Sequence, residues 1–377
     1  MKASRVGLGV LLVVCMTGLA AEPEAAGPAL SVLAPDGVVS LGDPVRVRIG
    51  PGAGGGPLTL TAEDAAGTPV TALTVAAAPG AARVELEVPC EGRRWLRLRL
   101  AEAAAPAIVL AERTVAVLPP APVADRRFGF NAPPALAPLV RRLGALWVRN
   151  HIPWEQAGEG KPFGGNGIEN TIGPVKAAGC ETFGISSYSL PWASVHAPDD
   201  PRPMREFFSP PRPEAWDAYV RDAAARMAGR VPVFEVWNEP NFDHFWRSVP
   251  DTFGQRVADY SALLRRTAAI LREAAPETRV TNGSVVDTRH ASAHAFLRAL
   301  LEAGCGDSFD ILNIHYYNGT RPPERLPAPP GGEAPARDRS LEAYLDGFRQ
   351  IQAEFKTAKP VWMTEMGWPT VDPGGWG

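Results

Sequence analysis

The sequence has little net charge and few cysteines, and both shortages exclude classes of protein. Its 377 residues include 38 Lys and Arg against 41 Asp and Glu, a formal net charge of −3. Nucleic-acid-binding proteins carry a basic patch or stripe, so we expect no nucleic-acid partner. Of four cysteines, Cys15 lies in the N-terminal leader, and Cys90, Cys180 and Cys305 show no CxxC spacing. This pattern argues against a zinc site, and we expect no metal and no cofactor.

The chain also lacks an apolar run long enough to span a bilayer, although its N-terminus is apolar. A spanning helix needs about 20 apolar residues, and the apolar stretch at 6–16 is shorter. Lys2 and Arg5 precede this stretch, and small residues around Ala20 follow it. Positive charge, apolar stretch and small residues, in that order, are typical of a cleaved export signal. We therefore predict a signal peptide over 1–21, no membrane span, and a secreted or periplasmic protein.

Residues 28–118 show the period-two alternation that is typical of antiparallel strands. Apolar and polar residues alternate at 45–49, 58–61, 84–88 and 95–100. Such alternation turns one face of a strand to a core and the other to water. Glycine and proline separate the runs, and several short strands at this spacing predict a small immunoglobulin-like β-sandwich domain. The proline-rich segment that follows, 119–127, is predicted to be a stiff linker.

From residue 128 onward, strand and helix patterns alternate. Seven strands are predicted, at 128–131, 145–150, 182–187, 233–238, 280–285, 309–315 and 360–365. Helical stripes of apolar residues separate them, and such repeated strand–helix units imply parallel strands. A doubly wound open sheet has the same alternation, but no GxGxxG or Walker-type loop follows an early strand. The predicted fold class is therefore α/β: a (β/α)8 TIM barrel over 128–377, preceded by the β-sandwich.

Two carboxylates lie at the ends of predicted strands. Glu239 comes just past the fourth strand, and Glu365 ends the seventh. In a (β/α)8 barrel the C-terminal strand ends converge on one face, where the chemistry takes place. A pair of carboxyl groups on such a face can cleave a glycosidic bond, one as acid and the other as nucleophile or base. A separation of about 5–5.5 Å permits retention, whereas a wider gap leads to inversion.

These residues carry a resemblance to a known family. The segment 234–242, Phe-Glu-Val-Trp-Asn-Glu-Pro-Asn-Phe, resembles the acid/base segment of family 39 glycoside hydrolases. That family has β-xylosidase and α-L-iduronidase activities and belongs to clan A, a group of retaining (β/α)8 enzymes. Residues 361–365 resemble the clan's nucleophile strand, and the resemblance extends from residue 128 to the C-terminus. Residues 366–369, Met-Gly-Trp-Pro, depart from the usual family 39 continuation, which leaves the sugar specificity open.

The resemblance implies a role for each residue that matches the motifs. Glu239 would be the general acid/base and Glu365 the nucleophile. Asn238 would donate a hydrogen bond to the sugar 2-hydroxyl, a contact that strengthens in the transition state. Arg149 matches the clan's barrel arginine, and with Tyr317 it would keep Glu365 ionised. The structural alternative for Arg149 is an ion pair within the barrel, for example with Glu235.

Three further side chains complete the predicted site. His315, the first residue of a His-x-Tyr pair that resembles the clan's, would line the pocket near Glu239. Trp154 and Trp368 would stack on the apolar faces of sugar rings, and packing in the core is the structural alternative for either. The predicted partner is a carbohydrate substrate, and the sequence leaves the oligomeric state open.

Two alternatives to a hydrolase stay open, and the C-terminal end of the sequence raises the first of them. Only twelve residues follow Glu365, too few for the helix after the seventh strand, the eighth strand and the final helix. We therefore expect a barrel that is incomplete at its C-terminus, and a chain that is a fragment of a longer gene product. A catalytically inactive carbohydrate-binding protein is the first alternative. A retaining transglycosylase, which uses the same residues, is the second.

Overall fold

A computed structural model describes residues 9–10, 30–34, 38–50, 57–75, 84–118, 123–196, 200–288, 292–317 and 340–367. Most of the predicted signal peptide and residues 119–122 of the predicted linker lie outside these residues. The described residues divide into two compact units, mainly an N-terminal one up to Val123 and a larger one from Ala124 onward. No helix among the described residues is both long enough and apolar enough to cross a membrane.

The strands, in chain order, are β1 Gly9–Val10, β2 Leu30–Val32, β3 Val38–Ser40, β4 Val45–Ile49, β5 Leu58–Glu63, β6 Pro69–Val75, β7 Val84–Val88, β8 Trp95–Glu102, β9 Ala105–Leu118, β10 Asp125–Asn131, β11 Ala145–His151, β12 Glu181–Ser186, β13 Val233–Asn238, β14 Arg279–Ser284, β15 Leu312–Tyr317 and β16 Val361–Gly367. The α-helices are α1 Ala137–Arg142, α2 Gly167–Ala177, α3 Arg205–Phe208, α4 Pro213–Met227, α5 Phe253–Ala274, α6 Ala293–Glu302 and α7 Leu341–Glu354.

The N-terminal unit contains two sheets. One has the strand order β2-β4-β7 and is antiparallel, and the other has the order β3-β9-β8-β5-β6, with only the β3–β9 pair parallel. Alternate residues of both sheets, such as Val45 and Val47 of β4 and Leu98 of β8, belong to one buried apolar cluster. The predicted alternation is thus present at β4, β5, β7 and β8, and the structure adds β2, β3, β6 and β9.

The larger unit is built from curved parallel sheets with helices between the strands, which confirms the α/β class. Strands β10 to β14 pair in sequence order, and a second sheet has the order β1-β16-β15. Two isolated parallel bridges, Thr281–Ile311 and Val285–Ile314, connect the neighbourhoods of β14 and β15. The two-residue strand β1 pairs in parallel with Trp362 and Met363 on the outer side of β16.

Of the strands that carry His315 and Glu365 or lead into Glu239, two differ slightly from their predicted bounds. β13 matches the prediction, whereas β15 begins and ends later than predicted and β16 extends to Gly367. Asp310 lies just before β15, and its carboxylate accepts a hydrogen bond from the backbone N–H of Val280, 2.8 Å away. Because β15 ends at Tyr317 rather than at residue 315, Tyr317 lies within the same strand as His315.

Helix α5 shows how a helix supports the site. Thr252 caps its N-terminus by accepting a hydrogen bond from the backbone N–H of Gln255. Its apolar stripe, which includes Val257, Tyr260 and Leu264, is buried against the sheet. The Tyr260 hydroxyl donates to the backbone oxygen of Val236 in β13 at 2.8 Å. The helix is thereby connected to the strand that leads into Glu239.

Candidate active site

The structure brings the two predicted carboxylates together. His315 Nδ1 lies 2.6 Å from Glu239 Oε1 and 3.5 Å from Glu365 Oε2. One carboxylate oxygen of each glutamate lies within 4.8 Å of the other. The Glu239 residue is 5% exposed, and the Glu365 side chain is 17% exposed. The two groups therefore share one small, partly shielded volume that solvent can still reach.

Left-handed backbone at the end of β13 positions Glu239. Trp237 has a φ of +73° and Glu239 a φ of +46°, which are uncommon values for residues other than glycine. In a regular strand, residues three apart point to opposite faces. Here Asn238 and Glu235 both contact Arg149, because the conformation of Trp237 interrupts the alternation. Strained backbone of this kind persists only where the surroundings enforce it.

Gly283 on β14 supplies part of that enforcement. A Cβ at this position would lie 2.6 Å from the backbone oxygen of Val236 and 2.7 Å from that of Trp237. Only glycine allows the two strands to approach so closely. The Tyr260 hydroxyl accepts a hydrogen bond from the Gly283 N–H and donates to the Val236 oxygen. Burial raises the Tyr260 pKa well above its usual value, so the hydroxyl stays neutral.

A β-bulge positions Glu365. Ile314 of β15 pairs with Met363, and the next residue, His315, pairs with Glu365, so Thr364 is an extra residue in β16. Bulges of this kind redirect side chains and are common beside active sites. The side chains of Thr364 and Glu365 both point into the site, where Thr364 contacts His315 and Glu365 contacts Arg149. A regular strand would place two consecutive residues on opposite faces.

Three donors surround the Glu365 carboxylate. Arg149 Nη1 lies 2.7 Å and Asn131 Nδ2 3.1 Å from Oε1, and the Tyr317 hydroxyl lies 2.7 Å from Oε2. Burial alone would raise the pKa of this carboxyl. The neighbouring imidazole of His315, the charge of Arg149, and the hydrogen bonds from Tyr317 and Arg149 outweigh burial and lower the pKa to about 2. Glu365 is therefore ionised at neutral pH.

Arg149 is held in place by Glu235, which lies deeper in the sheet interior. Its Nε and Nη2 lie 2.6 and 3.0 Å from the two oxygens of this fully buried carboxylate, a bidentate arrangement. The same guanidinium contacts Glu365 and the Oδ1 of Asn238, the latter at 3.0 Å. Burial works against the charge, but the two carboxylates raise the pKa of Arg149 above its usual value. The ion pair that was the structural alternative is present, together with the contact to the predicted nucleophile.

Asn238 is oriented as a donor. Because its Oδ1 accepts from Arg149, its amide nitrogen is the end that can donate. Burial raises the pKa of the nearby Tyr188 hydroxyl above its usual value, so that hydroxyl keeps its proton. A donor at Asn238 is what the predicted contact with a sugar hydroxyl requires.

Glu239, His315 and Glu365 also form the one group of possible metal ligands found among the described residues. Their ligand atoms all lie within 4.8 Å of one another. However, His315 Nδ1 is hydrogen-bonded to Glu239, and Nε2 to Thr364. We assign no metal to this group, and the absence of a metal and a cofactor stays a prediction.

Two predicted binding residues are not among these contacts. Trp154 stacks on Tyr219 with ring centroids 4.9 Å apart and packs edge-on against Trp192 and Trp216, at the margin of the main apolar core. This packing is the structural alternative for Trp154, and its contact with sugar stays a prediction. Trp368 lies outside the described residues.

Sequence reasoning missed Asn131 and Thr364. Asn131 ends β10, so the rule that placed the carboxylates at strand ends also points to it. Thr364 gave no such signal, because the bulge that turns it inward depends on pairing with β15.

No protein-family model and no curated protein matches the chain. Among solved structures, it is similar to a family 39 glycoside hydrolase from the gut symbiont Bacteroides cellulosilyticus WH2. The TM-score is 0.61 and the identity 21%, over 90% of this chain and 68% of that one.

Two further matches have TM-scores below 0.5, and we base no argument on them. The GH39 enzyme from Xanthomonas axonopodis pv. citri matches with a TM-score of 0.41 and 21% identity, over 63% of this chain and 47% of that one. A GH30 endoxylanase from Clostridium papyrosolvens C71 matches with a TM-score of 0.40 and 15% identity, over 62% and 53%. The chain thus spans about half the length of these two proteins. From the first match, the chain shares its fold with a family 39 glycoside hydrolase.

Proposed function

We propose that this protein is a glycoside hydrolase that cleaves O-glycosidic bonds of oligo- or polysaccharides with retention of configuration. The observation that carries the proposal is the close approach of the two carboxylates, with one oxygen of each within 4.8 Å. Retaining enzymes hold their carboxyl groups about 5–5.5 Å apart, whereas inverting enzymes leave about 6.5–9.5 Å for a water molecule. The resemblance to family 39 supports the same reaction.

In the first step, Glu365 acts as the nucleophile. Its carboxylate attacks the anomeric carbon, the bond from that carbon to the glycosidic oxygen breaks, and Glu239 gives its proton to the departing oxygen. The product is a glycosyl ester on Glu365. The three donors around Glu365 support this role, since they keep the carboxylate charged and hold it in one orientation.

In the second step, Glu239 acts as the base. It takes a proton from water, the water oxygen attacks the anomeric carbon, and the ester bond to Glu365 breaks. The Asn238 amide would donate to the sugar 2-hydroxyl throughout. Tyr317 is 41% exposed, so its ring can border the bound sugar while its hydroxyl holds Glu365.

Azide rescue tests the assignment of the two carboxylates. We expect Glu365→Ala to be inactive on aryl β-glycosides and to yield, with azide, a glycosyl azide of inverted configuration. Glu239→Ala with azide should give the azide of retained configuration, because the covalent intermediate still forms. Glu354→Ala, at an exposed glutamate of α7, is the control and should behave like the wild type. Absence of any rescue in Glu365→Ala would show that Glu365 is not the nucleophile.

Three structural proposals accompany this function. We propose that the β10–β16 strands belong to a (β/α)8 barrel, that the two sheets of the N-terminal unit form a β-sandwich domain, and that residues 1–21 direct export. Export is tested by expressing the gene in a Gram-negative host and sequencing the N-terminus of the protein in the periplasmic fraction. A mature chain beginning near residue 22 is the expected result, and an intact cytoplasmic chain beginning at Met1 contradicts export.

A further inference from the structure

A buried chain of hydrogen bonds leads from the backbone of β14 to His315. Its direction is fixed at its start, because the backbone oxygen of Asn282 can only accept. The Thr281 hydroxyl donates to that oxygen at 2.9 Å, so its own oxygen accepts from Asn313 Nδ2 at 3.5 Å. Asn313 Oδ1 then accepts from the Thr364 hydroxyl at 2.6 Å. The residues that form these hydrogen bonds, Thr281, Asn313, Thr364 and His315, have no solvent exposure.

The last bond of the chain determines where the imidazole of His315 carries a proton. Thr364 has one hydroxyl proton, which it gives to Asn313. Its oxygen lies 3.1 Å from His315 Nε2 and can only accept there, so Nε2 must carry a proton. In the neutral imidazole, which has a single N–H, His315 Nδ1 then presents a lone pair.

We propose that Thr364 is a positioning residue for the acid/base step, because it holds the neutral form of His315 with its proton on Nε2. The lone pair of Nδ1 then accepts a hydrogen bond from the protonated carboxyl of Glu239, 2.6 Å away. Asn313 aligns Thr364, and its own backbone is held by the Asn282 side chain, which pairs with its N–H and C=O at 2.8 and 3.0 Å. This proposal rests on the role proposed above for Glu239.

The same arrangement serves both chemical steps. Before cleavage, the Nδ1 lone pair holds Glu239 protonated and aimed, which is the form that a general acid requires. Once Glu239 has given its proton to the leaving group, its carboxylate faces that lone pair without a proton between them. The repulsion between the two acceptors favours uptake of a proton from water, which is the task of Glu239 in the second step.

Several other groups face His315 and must stay unchanged in a test of pH dependence. Glu239 approaches from the end of β13, Glu365 from β16 and Tyr317 from its own strand, with ring centroids 6.5 Å apart. Tyr344 of α7 donates to the His315 backbone oxygen at 2.9 Å, and Arg149 reaches the far side of Glu365. None of these contacts involves the Thr364 hydroxyl, so a Thr364 variant isolates the His315–Glu239 pair.

Thr364→Val removes the hydroxyl while keeping the shape of the side chain, and Thr364→Ser restores it. Thr267→Val is the matched control. The Thr267 hydroxyl is equally buried, donates to the Leu263 backbone oxygen at 2.8 Å and accepts from Trp216 Nε1 at 2.8 Å, but it lies on α5 outside the site. Both valine variants therefore lose one buried hydroxyl that donates once and accepts once.

In Thr364→Val the proton on Nε2 has no acceptor, and the imidazole moves its proton to Nδ1. An Nδ1–H donates to the Glu239 carboxylate and stabilises its ionised form. We expect the basic limb of the kcat/KM profile to shift to lower pH, and kcat/KM for substrates with poor leaving groups to fall about tenfold. Aryl glycosides with activated leaving groups should change less, and Thr364→Ser should restore the profile. A profile in Thr364→Val that equals that of Thr267→Val overturns the proposal.

Nuclear magnetic resonance of the imidazole nitrogens gives a readout that does not depend on turnover. The sequence has six histidines, and loss of one set of signals in His315→Gln assigns those of His315. We expect the Nε2–H tautomer in the wild type and in Thr267→Val, and the Nδ1–H tautomer in Thr364→Val. An Nδ1–H tautomer in the wild type overturns the inference even in an active enzyme. Inactivity on every glycoside with the expected tautomers refutes only the proposed function.

Discussion

The surroundings of the two carboxylates differ sharply although they share one site. Glu365 accepts hydrogen bonds from Arg149, Asn131 and Tyr317, and its pKa is lowered to about 2. Among the described residues, the side chain of Glu239 has a single hydrogen-bond partner, His315. A nucleophile must stay charged, whereas an acid/base must exchange its proton twice in each cycle. The difference shows that several fixed hydrogen-bond donors suit a nucleophile. A single partner that can accept a hydrogen bond from the carboxyl suits an acid/base.

The first test of this contrast replaces each carboxylate by an amide. Glu365→Gln should lower kcat by more than about 10⁴-fold for every substrate, because no covalent intermediate forms. Glu239→Gln should cost about 10²–10⁴-fold with poor leaving groups and less with activated aryl glycosides, which depart without a proton. Steady-state kinetics across a series of leaving groups measures both. Equal losses across that series in both variants would contradict the division of roles.

The second test removes the anchor beneath the nucleophile. Glu235 is fully buried and neutralises Arg149 through two hydrogen bonds. Loss of one partner of a buried pair costs about 3–5 kcal/mol, so Glu235→Gln should lower the free energy of unfolding by that amount. Denaturant titration measures it. Glu354→Gln breaks the exposed pair with Arg298 and should leave the free energy of unfolding nearly unchanged. Equal stability of the two variants would show that Glu235 does not anchor Arg149.

The third test acts on the backbone that carries Glu239. Gly283→Ala places a methyl group against two backbone oxygens of β13, which no side-chain rotation can relieve. We expect a loss of about 1–3 kcal/mol in stability together with a fall in kcat, since the strand end must shift. Gly254→Ala, in the first turn of α5, meets nothing within 4 Å and should not lower the stability of the protein. Unchanged stability and kcat in Gly283→Ala would show that the two strands separate easily.

The smallest expected effect comes from Tyr317→Phe. The Tyr317 hydroxyl lowers the Glu365 pKa, so its removal raises that pKa from about 2 and moves the acid limb of the kcat/KM profile to higher pH. The stabilisation from the Glu365 charge is present above the unfolded-state pKa of about 4.3 and is lost as the pH falls toward 2. The variant should therefore also unfold at a higher pH on acid titration. An acid limb at the wild-type position would show that the Tyr317 hydroxyl does not lower the Glu365 pKa.

Strand ends were predictable from sequence, whereas local backbone exceptions were not. The alternation of strands and helices placed Glu239 and Glu365 because a parallel sheet brings all C-terminal ends to one edge. Arg149 contacts both Glu235 and Glu365, and these contacts were not predictable because they depend on the side-chain geometry of three strands. The left-handed φ of Trp237 has no mark in its own residue type, since tryptophan rarely adopts it.

Glycine and threonine at the decisive positions are also common residues elsewhere in the chain. Gly283 matters because a backbone oxygen of the neighbouring strand lies 2.6 Å from where a Cβ would be. This closeness is a property of two paired strands and not of a sequence pattern. Thr364 matters because the register of β16 slips by one residue against β15. Sequence patterns of period two assume a constant register, so they fail where the register changes.

The bulge at Thr364 also affects how this strand is compared with other proteins. Trp362 and Met363 pair with β15 in one register, and Glu365 and Met366 pair in a register shifted by one residue. A relative with a regular strand at this place would need a gap opposite Thr364 to align its nucleophile with Glu365. Without that gap, an alignment would set the nucleophile of the relative against Thr364, and a search for the catalytic carboxylate would miss it by one position.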